Sequence, residues 1–131
     1  EYTRGFLLGD NRRSLTVRDE ISLKHAGSEL YWFMHTKGKI TIVNNNTALI
    51  KQNNKTLKVE FLTNAESFTL KAMEAKRLDG SDAIPETENT GVRKLAMHIT
   101  GASGDIAITA KMSMLNESVS EISNIGIADW N

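Results

Sequence analysis

The sequence lacks cysteine, has a single proline and carries no excess of either charge. Without cysteine the chain has no disulfides and no thiolate chemistry with zinc or redox partners, and cysteine usage does not indicate a compartment. Sixteen Lys and Arg residues balance sixteen Asp and Glu residues. No long-range field therefore attracts nucleic acid, and no apolar run approaches the ~20 residues of a membrane span. We expect a folded domain with neither a nucleic-acid partner nor a membrane span.

Catalytic and metal-binding motifs are also missing. The chain contains no GxSxG, no P-loop, no HExxH and no glycine-rich dinucleotide turn. Its three histidines lie on three separate segments, a distribution more typical of surface or core histidines than of a metal site. Asp19 and Glu20 are adjacent carboxylates, but on one strand they point to opposite faces and cannot flank a glycosidic bond together. The residues by themselves predict no catalytic residue, no metal site and no cofactor, and they do not indicate a function.

Alternation of apolar and polar residues is the main pattern that the sequence does contain. Leu15, Val17, Ile21 and Leu23 share one face of a predicted strand, with polar side chains on the other face. Similar alternations recur along the chain, separated by turns rich in Gly, Asn and Asp. The pattern predicts an all-β fold, an antiparallel two-sheet β-sandwich of about eight to ten strands, as a single domain over residues 1–131.

Three stretches are less regular. Residues 65–78 are compatible with a short helix, although the segment SFTLKAM favours a strand. Residues 79–90 contain the only proline and predict a long exposed loop. Residues 115–131 lose the period of two but keep apolar side chains, which predicts an irregular strap over a sheet or a final edge strand.

Asp19 stands in the apolar row of its predicted strand. A carboxylate buried there costs several kcal/mol unless it is paired or accepts backbone N–H bonds. We interpret Asp19 as a structural residue satisfied by its neighbours, with a nearby bulge as one way of rotating it outward. The alternative is that it orients a neighbouring residue in a site.

The run from Glu29 to Thr36 carries large side chains on both faces, which predicts a central strand covered on both sides. One cover is the core, and the other is the terminal strap, a neighbouring domain or a ligand. Tyr31 and Trp32 point to opposite faces, so only one of them can stack on a sugar while the other packs in the core. If this strand instead lay at a sheet edge, with one aromatic face open among polar side chains, ligand binding would become the leading hypothesis.

Arg12 and Arg13 directly follow a cluster of turn residues at the entrance of the second strand. An arginine pair in that position is most often a solvated strand end or an ion-pair partner for Asp10 or Asp19; the alternative is a contact to a sugar carboxylate or sulfate. The candidate carbohydrate or interdomain contacts are therefore Arg12, Arg13 and the residues Tyr31 and Trp32, with Trp130 in reserve.

Five segments of the chain resemble the distal C-terminal β-sandwich of the heparinase II/III-like polysaccharide lyases: LLGDNRRSLTVRDEI, ELYWFMHT, TALI, NNKTLKVEF and IADW. The resemblance implies a larger secreted or periplasmic enzyme, in which an α/α toroid precedes β-sandwich domains. Such an enzyme cleaves uronic-acid polysaccharides, including glycosaminoglycans, by β-elimination. Its catalytic Tyr, His and Asn or Arg residues lie in the toroid and the adjacent sheet domain, and none of their motifs has a counterpart in this chain.

For this chain the resemblance implies a non-catalytic structural or accessory domain that contacts the preceding domains of the lyase, with polysaccharide as a further partner. The start at Glu1, without a methionine or a signal-peptide pattern, is interpreted as that of a piece of a longer protein. A stand-alone carbohydrate-binding module or an adhesin-like interaction domain is the alternative. We expect no lyase activity from the chain alone, because the base, acid and charge-neutralising groups of β-elimination are missing.

Overall fold

The computed structural model describes residues 1–74 and 92–130, which form nine β-strands and one turn of 3-10 helix. The strands are β1 (Tyr2–Gly9), β2 (Ser14–Ser22), β3 (Ser28–Thr36), β4 (Lys39–Asn44), β5 (Thr47–Gln52), β6 (Lys55–Thr63), β7 (Phe68–Glu74), β8 (Arg93–Ala102) and β9 (Asp105–Met114). The helical turn is Ile127–Asp129. The loop predicted over residues 79–90 lies outside the described residues. None of the described segments is a helix long and apolar enough to cross a membrane.

The strands form two antiparallel sheets, which confirms the predicted two-sheet, all-β fold. A six-stranded sheet has the order β1-β2-β9-β6-β5-β4, and a three-stranded sheet has the order β3-β8-β7. The strand favoured by SFTLKAM is β7, so the helical alternative for that segment is wrong over the described residues. The smaller sheet contacts the larger one towards β4. β1 and β2 lie at the other end of the larger sheet.

The core lies between the two sheets and is made by the alternating apolar residues. The larger sheet contributes Val59, Phe61 and Ile108, and the smaller sheet contributes Leu95 and Met97, all of them at most 2% exposed. Burying each such side chain contributes roughly 1.5–3 kcal/mol. The period of two therefore predicted correctly which face of these strands is apolar and buried.

Asp19 is 2% exposed and is satisfied by two residues of β1, which confirms its structural interpretation. Arg4 donates to both of its carboxylate oxygens, from Nε at 2.5 Å and from Nη2 at 2.8 Å. The Tyr2 hydroxyl donates a third hydrogen bond at 2.8 Å. The suggested bulge is wrong, because β2 pairs with β1 and β9 in unbroken register and Asp19 stays on the inner face.

The predicted central position of the Glu29 to Thr36 strand is wrong, because β3 is an edge strand whose hydrogen-bonded neighbour is β8. Between β3 and β4, at Lys37 and Gly38, the chain passes from the smaller to the larger sheet. A Cβ atom at Gly38 would lie 2.6 Å from Ile50 Cγ2 and 3.0 Å from the Lys51 carbonyl oxygen. Only glycine fits this close crossing.

The chain after β9 crosses the outer face of β1, β2 and β9 as an irregular strap, which we define as residues 115–130. Lys111 of β9 donates to the carbonyl oxygen of Ser120 at 2.6 Å, and the backbone N–H of Ile127 donates to Glu20 Oε2 at 3.0 Å. Of the two predicted alternatives for these residues, the strap is confirmed; it does not cover β3, although it is one of the three covers that the sequence allows for that strand. The polar side chains on the outer face of β2 and β9 form hydrogen bonds with backbone groups of the strap. The strap therefore covers Lys111, which is 6% exposed.

Candidate functional site

The outer face of the three-stranded sheet carries a group of aromatic side chains at its free edge. Tyr31 of β3 is paired in register with His98 of the central strand β8, and Phe33 with Ala96. We call Tyr31, Phe33 and His98 the aromatic face. Because β3 is an edge strand among the described residues, no further strand within residues 1–74 and 92–130 continues the sheet beyond the two β3 rings.

The rings of the aromatic face are close to parallel. Tyr31 stacks on His98 with centroids 4.2 Å apart and an interplanar angle of 2°. Phe33 lies 5.4 Å from Tyr31 at 14°. Lys94 of β8 places its Nζ 4.4 Å from the centre of the Phe33 ring, a cation–π contact. His98 and Lys94 both belong to β8, so each supports a β3 ring from the side of that neighbouring strand.

Glu29 links the polar ends of the aromatic face. Its Oε1 accepts a hydrogen bond from the Tyr31 hydroxyl at 3.2 Å and lies 2.5 Å from His98 Nε2. Desolvation, followed by the hydrogen bond to Glu29, raises the pKa of the Tyr31 hydroxyl above its ordinary value. Tyr31 is therefore a neutral hydrogen-bonding phenol at physiological pH, held in orientation by one carboxylate and one imidazole.

The aromatic face is partly accessible to solvent. Tyr31 is 36% exposed, and its strand neighbour His35 is also exposed. Across β8 the same face continues onto β7 with Thr69, in register with His98, and Lys71, in register with Ala96, and both are exposed. A partly exposed ring on a sheet face that also carries hydroxyl, amine and carboxylate groups is suited to binding a ligand with both an apolar face and polar edges.

Trp32 points the other way and belongs to the core. It is 5% exposed and meets Phe61 edge-to-face, with centroids 5.0 Å apart and an angle of 83°. Its indole Nε1 is buried and has no hydrogen-bond partner among the described residues. Of the two candidate rings on this strand, Tyr31 is thus the accessible one and Trp32 is the one packed in the core.

Arg12 and Arg13 lie in the β1–β2 turn, where Asp10, Asn11 and Arg12 have φ values of 53°, 56° and 68°. Asp and Asn adopt this left-handed backbone more readily than most residues, whereas it is unfavourable for Arg12. Arg13 donates from Nε to the Asp10 carbonyl oxygen at 2.8 Å and lies 3.8 Å from the Glu117 carboxylate in the strap.

The two arginines border an open groove of about 270 Å³ over an apolar floor that includes Leu8, Leu57 and Met112. The contacts of Arg12 and Arg13 share no residue with those of Tyr31. The four sequence candidates therefore divide among three places: the aromatic face, the core and this groove.

Trp130, the reserve candidate, packs against β1. A Cβ atom placed at Gly5 would lie 2.8 Å from Trp130 Cζ3 and 3.3 Å from Ile127 Cδ1. The indole Nε1 donates to the Ile125 carbonyl oxygen at 3.2 Å. The Trp130 ring packs the strap against the six-stranded sheet, and its indole N–H is already hydrogen-bonded within the strap.

Sequence reasoning missed Glu29 and His98 as parts of this site. The alternation in β8 did place His98 on the face opposite Leu95 and Met97, so its outward direction was available from the pattern. Its pairing with Tyr31 was not, because the two residues are 67 positions apart in the chain and their contact depends on the β3–β8 register. No protein-family model matches the chain, and no curated protein matches its sequence significantly.

Proposed function

We propose that this chain is a non-catalytic accessory domain of a heparinase II/III-like polysaccharide lyase, and that it holds polysaccharide on its aromatic face. The observation that carries the proposal is the Tyr31 ring, 36% exposed at a sheet edge and supported from β8 by His98. From the sequence, ligand binding becomes the leading hypothesis if this strand lies at a sheet edge with an open aromatic face. The placement of β3 therefore favours ligand binding over a purely structural role. The family assignment is supported by the sequence resemblance alone.

The chemistry of the aromatic face suits a sugar chain. A pyranose presents C–H groups on its faces and hydroxyls around its rim, so it can cover an aromatic ring while its rim meets polar side chains. Glu29 holds the Tyr31 hydroxyl in place, and Thr69 and Lys71 supply a hydroxyl and an amine on the same face. Lys71 is suited to a uronate carboxylate, the group that distinguishes the substrates of the resembled lyases.

Binding to heparan sulfate, chondroitin sulfate and alginate, measured by isothermal titration calorimetry, tests the proposal with Tyr31→Ala. We expect the variant to bind its preferred glycan about two- to fivefold more weakly, because Tyr31 is 36% exposed and covering that remaining third of its surface contributes roughly 0.5–1 kcal/mol. Phe6→Ala is the matched control, since Phe6 is an exposed aromatic residue on the other sheet and is 64% exposed. Absence of binding to all three glycans, or equal losses in both variants with the fold intact by circular dichroism, would contradict the proposal.

A second candidate function, docking of a preceding lyase domain, is favoured by the apolar side chains on β1. Tyr2, Phe6 and Leu8 are 58%, 64% and 64% exposed on the sheet face that forms the core further along. An exposed apolar patch of this kind usually marks an interface. In the parent lyase, Phe6→Asp combined with Leu8→Asp should loosen the domain arrangement and speed proteolysis between domains. An unchanged rate of proteolysis argues against docking at β1.

A specific protein partner without glycan binding would favour the adhesin-like alternative.

A further inference from the structure

A separate cavity lies on the outer face of the six-stranded sheet, beside the strap. It has a volume of about 430 Å³ and is lined by side chains of β2 and β9 together with Asn124 of the strap. Small-ligand pockets in proteins typically measure about 300–1,000 Å³. We call it the strap cavity. It lies on the other sheet from the aromatic face and shares no residue with that face.

The wall of the strap cavity contains a buried and fixed guanidinium. Arg18 is 6% exposed, although it lines the cavity. Its Nε donates to Glu20 Oε2 at 2.8 Å, and its Nη1 donates to Thr109 Oγ1 at 2.8 Å and to Asn124 Oδ1 at 2.9 Å. The Nη2 atom of Arg18 has no hydrogen-bond partner among residues 1–74 and 92–130. These three contacts leave one N–H edge of a rigid donor group for a ligand.

Acceptors lie in the same cavity. Glu20 uses Oε2 for Arg18 and for the backbone N–H of Ile127, and these two contacts lower the pKa of its carboxyl below the ordinary value. Asp105 uses Oδ1 for the Ser22 hydroxyl. The second oxygen of each carboxylate has no hydrogen bond within the described parts of the chain. A ligand that both donates and accepts hydrogen bonds fits this arrangement, and hydroxyl groups do both.

The charge of the cavity further restricts which ligands it can bind. Among the described residues that line it, Glu1, Glu20 and Asp105 carry carboxylate side chains and Arg18 carries a guanidinium. An anionic ligand would meet net repulsion, whereas a neutral or amine-bearing one would not. We infer that the strap cavity binds one uncharged or amino-sugar residue, using Arg18 as donor and Glu20 and Asp105 as acceptors. This inference does not rest on the proposed function of the aromatic face.

Amide chemical shifts in two-dimensional NMR spectra of the isotopically labelled chain provide the test. The probes are methyl α-D-glucopyranoside, D-glucosamine and D-glucuronate, each added to millimolar concentration. We expect shifts at cavity residues with the first two probes and none with glucuronate. Shifts with glucuronate as large as those with the glucoside would overturn the inference, and so would the absence of shifts with all three probes.

Two variants test whether the chemical-shift changes arise from binding in the strap cavity. Ala107→Phe fills it from its β9 wall and should abolish the shifts, while Asp105→Asn keeps an acceptor for Ser22 and should weaken glucosamine binding about two- to fivefold. The second variant keeps the test decisive if Ala107→Phe does not fold. Tyr31→Ala is the control and should leave the cavity shifts unchanged. A response that survives in the folded Ala107→Phe variant, or that is unchanged by Asp105→Asn, contradicts the inference.

Discussion

Asp10 shows how a single side chain connects three separate parts of the molecule. Its carboxylate accepts from Ser14 Oγ at 2.7 Å and from the Ser120 backbone N–H at 2.9 Å, and it lies 3.2 Å from Lys111 Nζ. The hydrogen bond from Ser14, followed by those from Ser120 and Lys111, holds the pKa of the Asp10 carboxyl well below its usual range. The left-handed turn between β1 and β2 directs the side chain to all three partners. Asp10 therefore joins the turn, the sheet and the strap.

This arrangement predicts a pH-dependent loss of stability in Asp10→Asn. Because the pKa of the folded-state carboxyl lies below the unfolded value of about 3.9, its contribution is fully present above that value. The contribution disappears as the pH falls through the folded-state pKa. We expect the variant to have a lower free energy of unfolding than the parent chain at neutral pH, with a difference that shrinks below about pH 4.

Urea unfolding at several pH values measures this difference. Glu66→Gln, at an exposed position, is the control and should change little at any pH. A deficit of Asp10→Asn that stays equal from about pH 7 to about pH 3 would show that the carboxylate charge is not responsible.

At the scale of elements, the strap replaces a covering sheet or helix over part of the larger sheet. Its contacts are mostly polar, which is why β9 can place Thr109, Lys111 and Ser113 in a buried outward row. The apolar part of the contact is at Gly5, where Trp130 and Ile127 approach the backbone of β1. A side chain at position 5 would occupy the space that Trp130 now fills.

Gly5→Val should therefore displace the end of the strap. We expect a loss of about 1–3 kcal/mol in the free energy of unfolding, as for other overpacked sites. Acrylamide quenching of tryptophan fluorescence should also increase, because Trp130 moves into solvent while Trp32 stays in the core. Thr3→Val, a conservative change at an exposed position of the same strand, is the control. Unchanged quenching in Gly5→Val would mean that Trp130 is not seated against β1.

For the whole molecule, the difference in size between the six-stranded and the three-stranded sheet decides which apolar residues are buried. Phe61 lies between the sheets and is 1% exposed, whereas Phe6 on β1 is 64% exposed. The smaller sheet packs towards β4, at the opposite end of the larger sheet from β1. The inner face of one sheet is therefore core at one end and accessible surface at the other.

This difference predicts opposite outcomes for the same substitution at two phenylalanines. Phe61→Ala should lower the free energy of unfolding by about 3–5 kcal/mol, because it leaves a cavity in a packed core. Phe6→Ala should change it by about 0.5 kcal/mol or less, as is usual for surface substitutions. Thermal and urea unfolding monitored by circular dichroism measure both values. A large loss in Phe6→Ala would show that its ring is buried in solution, by a second copy of the chain for example.

The structure confirmed those sequence predictions that depend on local periodicity. The faces of β2, β6 and β8 followed from apolar alternation, and the structural interpretation of Asp19 followed from the cost of burying a carboxylate. The position of β3 did not follow, because large side chains on both faces indicate only that both faces are covered to some degree. Partial cover at a sheet edge, by His98 and Lys94, gives the same sequence pattern as full cover in a central strand.

The sequence by itself determined the all-β class and the buried faces of β2, β6 and β8, because neighbouring residues show the period of two directly. It also indicated that the last residues leave the regular alternation of β9, but it left a strap and a final edge strand as alternatives. Only the tertiary structure decided which strands share a sheet, which face the strap covers and which side chains meet at Tyr31, at Asp10 and in the strap cavity. Those contacts join residues far apart in the chain, and they depend on strand order and register, which local patterns do not specify.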